Sequence, residues 1–201
     1  MLALQGAFRE HREVFDALGV DAIAVRLPEH LAGLDGLVIP GGESTTMNRL
    51  LDTSGLRAPL GDAIGDGLAV LGTCAGLIVV AREVLDGRPD QVPLGAIDIV
   101  ARRNAFGRQL DSFESDLRIS GLAGGAFPGV FIRAPAIEEV GETVTVLAEH
   151  NGRPVMARAG RVWVTTFHPE LAGDSRIHQL FLDGATERSG TVQGTVQGTS
   201  R

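Results

Sequence analysis

Cys74, the single cysteine of the sequence, stands at the centre of Gly72-Thr73-Cys74-Ala75-Gly76. An apolar run precedes this segment and another follows it, so the segment is predicted to join a strand to a helix. Small residues two positions before and after a nucleophile allow a sharp turn, which exposes the side chain and directs the next backbone N–H into the same space. The pattern therefore predicts a reactive thiol at Cys74.

A second segment supplies the groups that a thiol nucleophile needs. Residues 162–167 are predicted to form a strand that leads directly into His168-Pro169-Glu170. Residues two apart in an extended chain point to the same side, and the proline between His168 and Glu170 favours that conformation. A histidine that takes the thiol proton and a carboxylate that orients the histidine complete a nucleophile–base–orienter set.

These candidates are weighed against plain structural roles. A lone cysteine is commonly a small buried hydrophobic residue, and neither Gly-x-Cys-x-Gly nor His-x-Glu is specific by itself. Their joint presence at the ends of two predicted strands favours catalysis. The other histidines are predicted to serve packing or surface roles, and no cluster of His, Cys, Asp and Glu has the spacing of a metal site; these histidines are His11, His30, His150 and His178.

Length and composition limit the alternatives. A chain of 201 residues suits one α/β domain, and a net charge of −7 argues against a nucleic-acid or anionic-membrane surface. One cysteine excludes an internal disulfide, so a reducing cytoplasm is expected. No apolar run approaches the about 20 residues of a membrane span, and the N-terminus lacks the pattern of a signal peptide.

Strand-like and helical patterns alternate through the first half. Strands are predicted at 2–4, 22–25, 37–39 and 68–71, and helices at 8–18, from Ser44 with an N-cap cluster at 44–46, and after Cys74. This alternation predicts a parallel sheet with helices on both faces. The second half is predicted to hold short strands and a final helix; these are the strands 97–101, 129–132, 144–148 and 155–159, a hairpin at Asn151-Gly152, and the helix 175–182.

Several motifs resemble the class I (triad) glutamine amidotransferases, over nearly all of residues 2–185. The resemblance is carried by Leu4-Gln5-Gly6-Ala7, Pro40-Gly41-Gly42-Glu43-Ser44-Thr45-Thr46, the segment around Cys74, and Phe167-His168-Pro169-Glu170-Leu171. Cys74 and His168-Pro169-Glu170 are diagnostic of the superfamily alone, whereas the Gly-Gly-Glu-Ser-Thr-Thr segment is specific to one branch. A closer similarity is to that branch, the glutaminase subunits of pyridoxal 5′-phosphate synthase. The branch is marked by Arg103-Asn104-Ala105-Phe106-Gly107-Arg108-Gln109, Asp111-Ser112-Phe113-Glu114, residues 130–135 and Glu149-His150-Asn151-Gly152.

The resemblance implies a fold and a domain organisation. It implies a single-domain, flavodoxin-like three-layer sandwich with a mostly parallel central sheet and an added antiparallel region. The glutaminase domain is expected over 1–188, followed by a disordered tail over 189–201, whose Ser/Gly/Thr/Gln composition cannot bury a core. Members of the family begin with a few more apolar residues than this sequence, so an incomplete first strand is expected at Met1.

The resemblance also implies hydrolysis of the glutamine side-chain amide to glutamate and ammonia. Cys74 attacks as the thiolate, His168 accepts and returns the proton, and Glu170 holds the imidazole in the useful tautomer. A glutamyl thioester forms and is hydrolysed by water. The backbone N–H groups of Ala75 and Gly42 are expected to stabilise the negative oxygen that develops in both steps.

Substrate-binding residues are carried over from the family. They are Gly42, Glu43, Ser44, Arg103, Ile132 and Arg133, with Arg108 as a weaker candidate. An arginine can hold the α-carboxylate of glutamine through two hydrogen bonds, which makes Arg103 the natural partner of that group. No metal and no cofactor are expected.

The expected partner is the synthase subunit, which forms pyridoxal 5′-phosphate from a pentose phosphate, a triose phosphate and ammonia in a hetero-oligomer. The expected enzyme classes are hydrolase and lyase, and the expected location is the cytoplasm. Two alternatives stay open: a stand-alone cysteine hydrolase or stress protein on a related flavodoxin-like fold, and a non-catalytic subunit with a decayed site. The former usually lacks the His-Pro-Glu segment, and the intact triad argues against the latter.

Overall fold

A computed structural model describes residues 1–88, 91–103 and 112–186. The helices are Phe8–Ala17 (α1), Ser44–Thr53 (α2), Arg57–Gly65 (α3), Ala75–Val80 (α4) and Arg176–Thr186 (α5). The strands are Gly36–Ile39 (β1), Ala69–Thr73 (β2), Ala81–Leu85 (β3), Ile97–Arg102 (β4), Ser112–Leu117 (β5), Phe127–Ile132 (β6), Ala136–Val140 (β7), Thr145–His150 (β8), Arg153–Ala159 (β9) and Val162–Thr165 (β10). The predicted tail, 189–201, lies outside the described residues.

The central sheet has the strand order β1-β2-β10-β9-β8. Strands β1, β2 and β10 run parallel, whereas β9 and β8 are antiparallel additions. Beyond β1, Leu2 donates its N–H to the Val38 carbonyl at 2.8 Å and forms a parallel bridge with Val25. The strands predicted at 2–4 and 22–25 are thus reduced to one bridge, because the chain turns away at Gly6, whose φ is +97°.

Alternate residues of the strands face two separate hydrophobic layers. Leu37 and Val70 pack in the cluster that includes residues of α2, α3 and α4. Val38 and Leu71 belong to the other cluster, which includes residues of α1 and α5. Helices therefore cover both faces of the sheet, and the predicted flavodoxin-like three-layer fold is confirmed. None of the helices in the described residues is both long and apolar enough to cross a membrane.

Some of the remaining elements were predicted from the sequence and others were not. The predicted hairpin is confirmed: Asn151 and Gly152 have φ of +51° and +73°, and His150 pairs with Arg153. No element was predicted over α3, β3, β5 or β7. Helix α3 contains Pro59 and Gly61, and β3 follows α4 without any turn residue, so neither carries the usual signals.

Candidate active site

Cys74 lies on a sharp turn between β2 and α4. Its φ of +48° and ψ of −104° are unusual for a residue with a side chain. A Cβ on Gly76 would lie 1.9 Å from the Ile39 carbonyl oxygen, and one on Gly72 would lie 2.9 Å from the Gly76 backbone. Both glycines are therefore needed for the turn to pack against β1, and the structure contains the strand-to-helix turn that the sequence predicts.

His168 and Glu170 meet through a geometry that differs from the prediction. Strand β10 ends at Thr165, and Pro169 begins a short 3₁₀ turn, so the expectation of extended chain through Glu170 is wrong. Proline is well tolerated at the first position of a helical turn. Within that turn, His168 Nδ1 still lies 2.7 Å from Glu170 Oε1. Because a carboxylate can only accept, Nδ1 carries the hydrogen and Nε2 is left for Cys74.

The electrostatics of His168 favour its charged form. Burial opposes the charge, but hydrogen bonds with Cys74 and Glu170 outweigh burial and raise the pKa of His168 to about 10. Hydrogen-bond partners for both ring nitrogens explain this direction. A charged imidazole stabilises negative charge on a neighbouring sulfur, which is the state in which a cysteine is nucleophilic.

One cleft of about 340 Å³ gathers the predicted residues. Its lining includes Cys74, His168, Gly42, Glu43, Ser44, Ala75, Arg103, Ile132 and Arg133. Glu170 lies behind His168 and is buried. The structure thus brings all the predicted site residues together, and the roles assigned to them stay predictions. Arg108 lies outside the described residues.

The loop at Gly41-Gly42 is held from two sides. The Ala7 N–H donates to the Gly41 carbonyl at 2.9 Å, and the Gly41 N–H donates to Thr73 Oγ1 at 3.0 Å. A Cβ on Gly41 would lie 2.3 Å from His168 Cε1, and one on Gly42 would lie 2.3 Å from Gln5 Oε1. The loop packs directly on the triad, where a side chain would displace its neighbours.

Glu43 forms the start of α2. Its carboxylate accepts the N–H groups of Thr45 at 3.0 Å and Thr46 at 2.7 Å, so the N-cap is Glu43 and not the predicted 44–46 cluster. Each of its two carboxylate oxygens takes one of these helix N–H groups, which otherwise have no partner within the helix. Although burial opposes its charge, the hydrogen bonds from Thr46 and Thr45 lower the pKa of Glu43 to about 2.

Arg103 is held beside Glu43 in the cleft. Its guanidinium donates to Glu43 Oε1 at 3.3 Å and to Gln91 Oε1 at 3.2 Å. Gln91 in turn donates to Ser44 Oγ at 3.2 Å and is only 8% exposed. Sequence reasoning missed Gln91, because it lies in a segment without a motif or periodicity that could single it out.

Within 1–88, 91–103 and 112–186, no three His, Cys, Asp or Glu side chains are grouped so that they could hold a metal ion. The expectation that neither a metal nor a cofactor takes part stays a prediction.

Comparison with known proteins identifies the family. The sequence model of the SNO glutamine amidotransferase family matches residues 1–187. Pyridoxal 5′-phosphate synthase subunit PdxT of Mycobacteroides abscessus is 56% identical over 183 residues, covering 91% of this chain and 94% of that protein. The protein of the same name from Rhodococcus jostii is 53% identical over 190 residues, with the same coverages of 91% and 94%.

A solved structure agrees with these matches. A crystal structure of a glutamine amidotransferase superposes with a TM-score of 0.87 at 49% identity, covering 92% of this chain and 96% of that chain. Both the sequence and the fold therefore lead to one conclusion, and the predicted resemblance is confirmed. The chain belongs to the SNO glutamine amidotransferase family.

Proposed function

We propose that the chain is the glutaminase subunit of a pyridoxal 5′-phosphate synthase, which hydrolyses L-glutamine to L-glutamate and supplies the ammonia to the synthase subunit. The relatives of 53–56% identity carry the name of that synthase's subunit, and the family is one of glutamine amidotransferases. The observation that carries the proposal is the placement of His168, which lines one cleft with Cys74 while its Nδ1 lies 2.7 Å from Glu170 Oε1. We assign the activity to a domain over 1–188.

The expectation that this subunit is also a lyase is wrong. The matching family is a family of glutamine amidotransferases, and the relatives are named as subunits of the synthase. The chemistry of this chain is therefore hydrolysis of an amide, a hydrolase reaction.

In the first half of the reaction, the Cys74 sulfur attacks the side-chain amide carbon of glutamine. The carbonyl electrons move to oxygen, and we assign the N–H groups of Ala75 and Gly42 to that negative charge. The His168 imidazolium gives its Nε2 proton to the amide nitrogen, the C–N bond breaks, and ammonia leaves. The product on the enzyme is a glutamyl thioester.

In the second half, His168 is neutral and takes a proton from water. The resulting hydroxide adds to the thioester carbon, the same oxyanion site is used again, and the C–S bond breaks. Glutamate leaves and the thiolate–imidazolium pair is restored. Glu170 keeps the Nδ1 hydrogen in place throughout, so that Nε2 always faces the reacting atoms.

The cleft also explains how glutamine would be held. Arg103 offers a charged pair of donors to the α-carboxylate, and Glu43, whose pKa of about 2 keeps it anionic, suits the α-ammonium. We assign further contacts to Ser44 and to the backbone of Ile132 and Arg133. Because Gln91 and Glu43 hold the Arg103 guanidinium in advance, little side-chain entropy is lost on binding.

Control by the partner follows from the chemistry of the product. Ammonia released into neutral water is protonated and useless as a nucleophile, so hydrolysis without the synthase wastes glutamine. We expect the isolated chain to be weakly active and the complex to have a much higher kcat. We further place the protein in the cytoplasm, because its free thiol stays reduced there.

The test is glutamate formation by the isolated chain, by the chain with the synthase subunit, and by the same complex carrying Cys74→Ala. We expect a large gain in kcat on adding the partner and no turnover in the variant. Equal turnover with and without the partner would refute the control and leave the hydrolysis standing. No glutamate in either sample would refute the proposed function.

A further inference from the structure

Glu170 has a second histidine on its far side. Its Oε1 faces His168, and its Oε2 lies 3.2 Å from Nε2 of His11 on helix α1, with both of these side chains completely buried. One carboxylate therefore lies between two imidazoles, and its Oε2 is among the buried atoms without a hydrogen-bond partner. The sequence analysis placed His11 among the packing residues, because nothing in the sequence shows that α1 crosses behind the triad.

The surroundings of His11 indicate its tautomer. A lone pair on Nε2 would face the anionic Oε2 at 3.2 Å, so we place the hydrogen on Nε2, and Nδ1 accepts from His178 Nε2 at 2.8 Å. His178 Nδ1 is then a bare lone pair, and it is among the buried atoms without a partner. Burial, with the neighbouring His178 and His168, lowers the pKa of His11 well below its usual 6.5, so that the ring is neutral.

The same helix also reaches the loop beside the nucleophile. His11 Nε2 lies 3.2 Å from Thr73 Oγ1, and that oxygen accepts the Gly41 N–H at 3.0 Å. One turn earlier, the Ala7 N–H holds the Gly41 carbonyl at 2.9 Å. Helix α1 therefore contacts the triad carboxylate and the residue before Cys74, and it fixes the orientation of the Gly41 backbone.

We propose that His11 is a positioning residue for glutamine hydrolysis. Its Nε2 lies against Oε2 at 3.2 Å without forming a hydrogen bond to it, which keeps Oε1 aimed at His168 Nδ1, and its hydrogen bond to Thr73 Oγ1 supports that residue beneath the Gly41 loop. An apolar side chain in place of the ring removes the polar nitrogen beside Oε2 and the support of Thr73, so that Glu170 turns away from His168 to find another partner. The proposal rests on the proposed glutaminase function.

Three variants in the complex with the synthase subunit separate positioning from stability. His11→Leu removes the donor, and we expect kcat to fall by about 10²-fold, as misplacement of catalytic groups does, with KM for glutamine nearly unchanged. His11→Gln places an amide N–H where Nε2 stood and is expected to restore most of kcat. Phe15→Leu is the control for packing alone, because Phe15 is buried one turn further along α1 and packs edge-on against the His178 ring without offering a polar group; it should lower the melting temperature and leave kcat unchanged.

A second readout is independent of turnover. Because Cys74 is the only cysteine of the sequence, its alkylation by iodoacetamide can be followed as a function of pH. Misplacing Glu170 weakens the imidazolium that stabilises the thiolate, so the midpoint of alkylation should move to higher pH in His11→Leu and stay in place in Phe15→Leu.

Two results would overturn the proposal. One is a folded His11→Leu with wild-type kcat and an unmoved alkylation midpoint; the other is an equal loss of kcat in Phe15→Leu. If His11→Leu does not fold, His11→Asn replaces it, because its shorter amide cannot reach Glu170 and should behave unlike His11→Gln. Glutamine hydrolysis by the wild-type complex, measured alongside, separates a failure of this proposal from a failure of the proposed function.

Discussion

The two sides of the Glu170 carboxylate offer opposite surroundings to the same type of side chain. His168 lines the open cleft and shares hydrogen bonds with Cys74 and Glu170, so its pKa rises to about 10 although burial opposes the charge. His11 is sealed behind the triad, where burial and two neighbouring histidines lower its pKa well below 6.5. The comparison shows that burial and neighbouring charge, and not residue type, decide whether a histidine carries charge or only supplies geometry.

This difference suits the two tasks. The side facing the substrate must gain and lose a proton in every cycle, whereas the side behind it must keep one fixed tautomer. Burial lowers the pKa of His178 to about 4, so this residue is also neutral. It extends the group of uncharged histidines behind Glu170 further from the cleft. Variants on the two sides of Glu170 should therefore change different measurable properties.

The largest effect is expected on the charged side. His168→Ala removes the base and acid, and we expect a loss of kcat of about 10⁴-fold or more, close to that of Cys74→Ala, since triad members act as a unit. Glu170→Gln weakens orientation without removing the base and should cost less. Steady-state glutamate formation by each variant complex checks this, and a greater loss for Glu170→Gln than for His168→Ala would reverse the assigned roles.

A smaller loss of kcat is expected for a variant that changes the geometry of the site without changing its charge. In Gly42→Val the new Cβ would lie 2.3 Å from Gln5 Oε1 and 3.0 Å from Gly6 Cα, so the loop must shift. Losing one oxyanion donor typically lowers kcat by about 10²–10³-fold. We expect the variant to bind the synthase subunit normally by size-exclusion chromatography and to lose its stimulation. An unimpaired kcat would remove Gly42 from the oxyanion site.

Variants of the substrate-binding residues should have smaller effects, and these effects should appear in KM and not in kcat. Arg103→Lys keeps the charge but loses the paired donors, and Gln91→Leu removes one of the groups that hold the guanidinium. We expect KM for glutamine to rise about tenfold for Arg103→Lys and less for Gln91→Leu, with kcat little changed. A fall in kcat at constant KM in either variant would contradict the assignment to binding.

The smallest effect concerns stability as a function of pH. The lowered pKa of His178 means that its contribution is present above about pH 6.5 and is lost as pH falls toward 4. The raised pKa of His168 acts in reverse, with its contribution present below pH 6.5 and lost as pH rises toward 10. We expect His178→Leu to flatten the acid side of a plot of melting temperature against pH, and His168→Gln the alkaline side. If each variant flattened the opposite side, the two environments would have been assigned the wrong way round.

Much of the fold and of the site can be predicted from local sequence patterns. The position of Cys74 between two apolar runs predicts both the turn and the nucleophile, because the glycines on either side of it allow the backbone of the turn to pack closely. The contact of His11 with Glu170 joins residues 159 positions apart through the packing of α1, and no local pattern encodes it. The 3₁₀ turn at Pro169 was also not predicted, because a proline favours an extended conformation in the residue before it and equally allows a helical turn after it.

The central claim is that Cys74 is the nucleophile that glutamine reaches. The most direct measurement treats the complex with an electrophilic glutamine analogue, such as a chloroketone, and locates the adduct by intact mass and peptide mapping. We predict one adduct per chain, on Cys74, prevented by excess glutamine and absent from Cys74→Ala. An adduct on another residue, or wild-type glutamate formation by Cys74→Ala, would contradict the account.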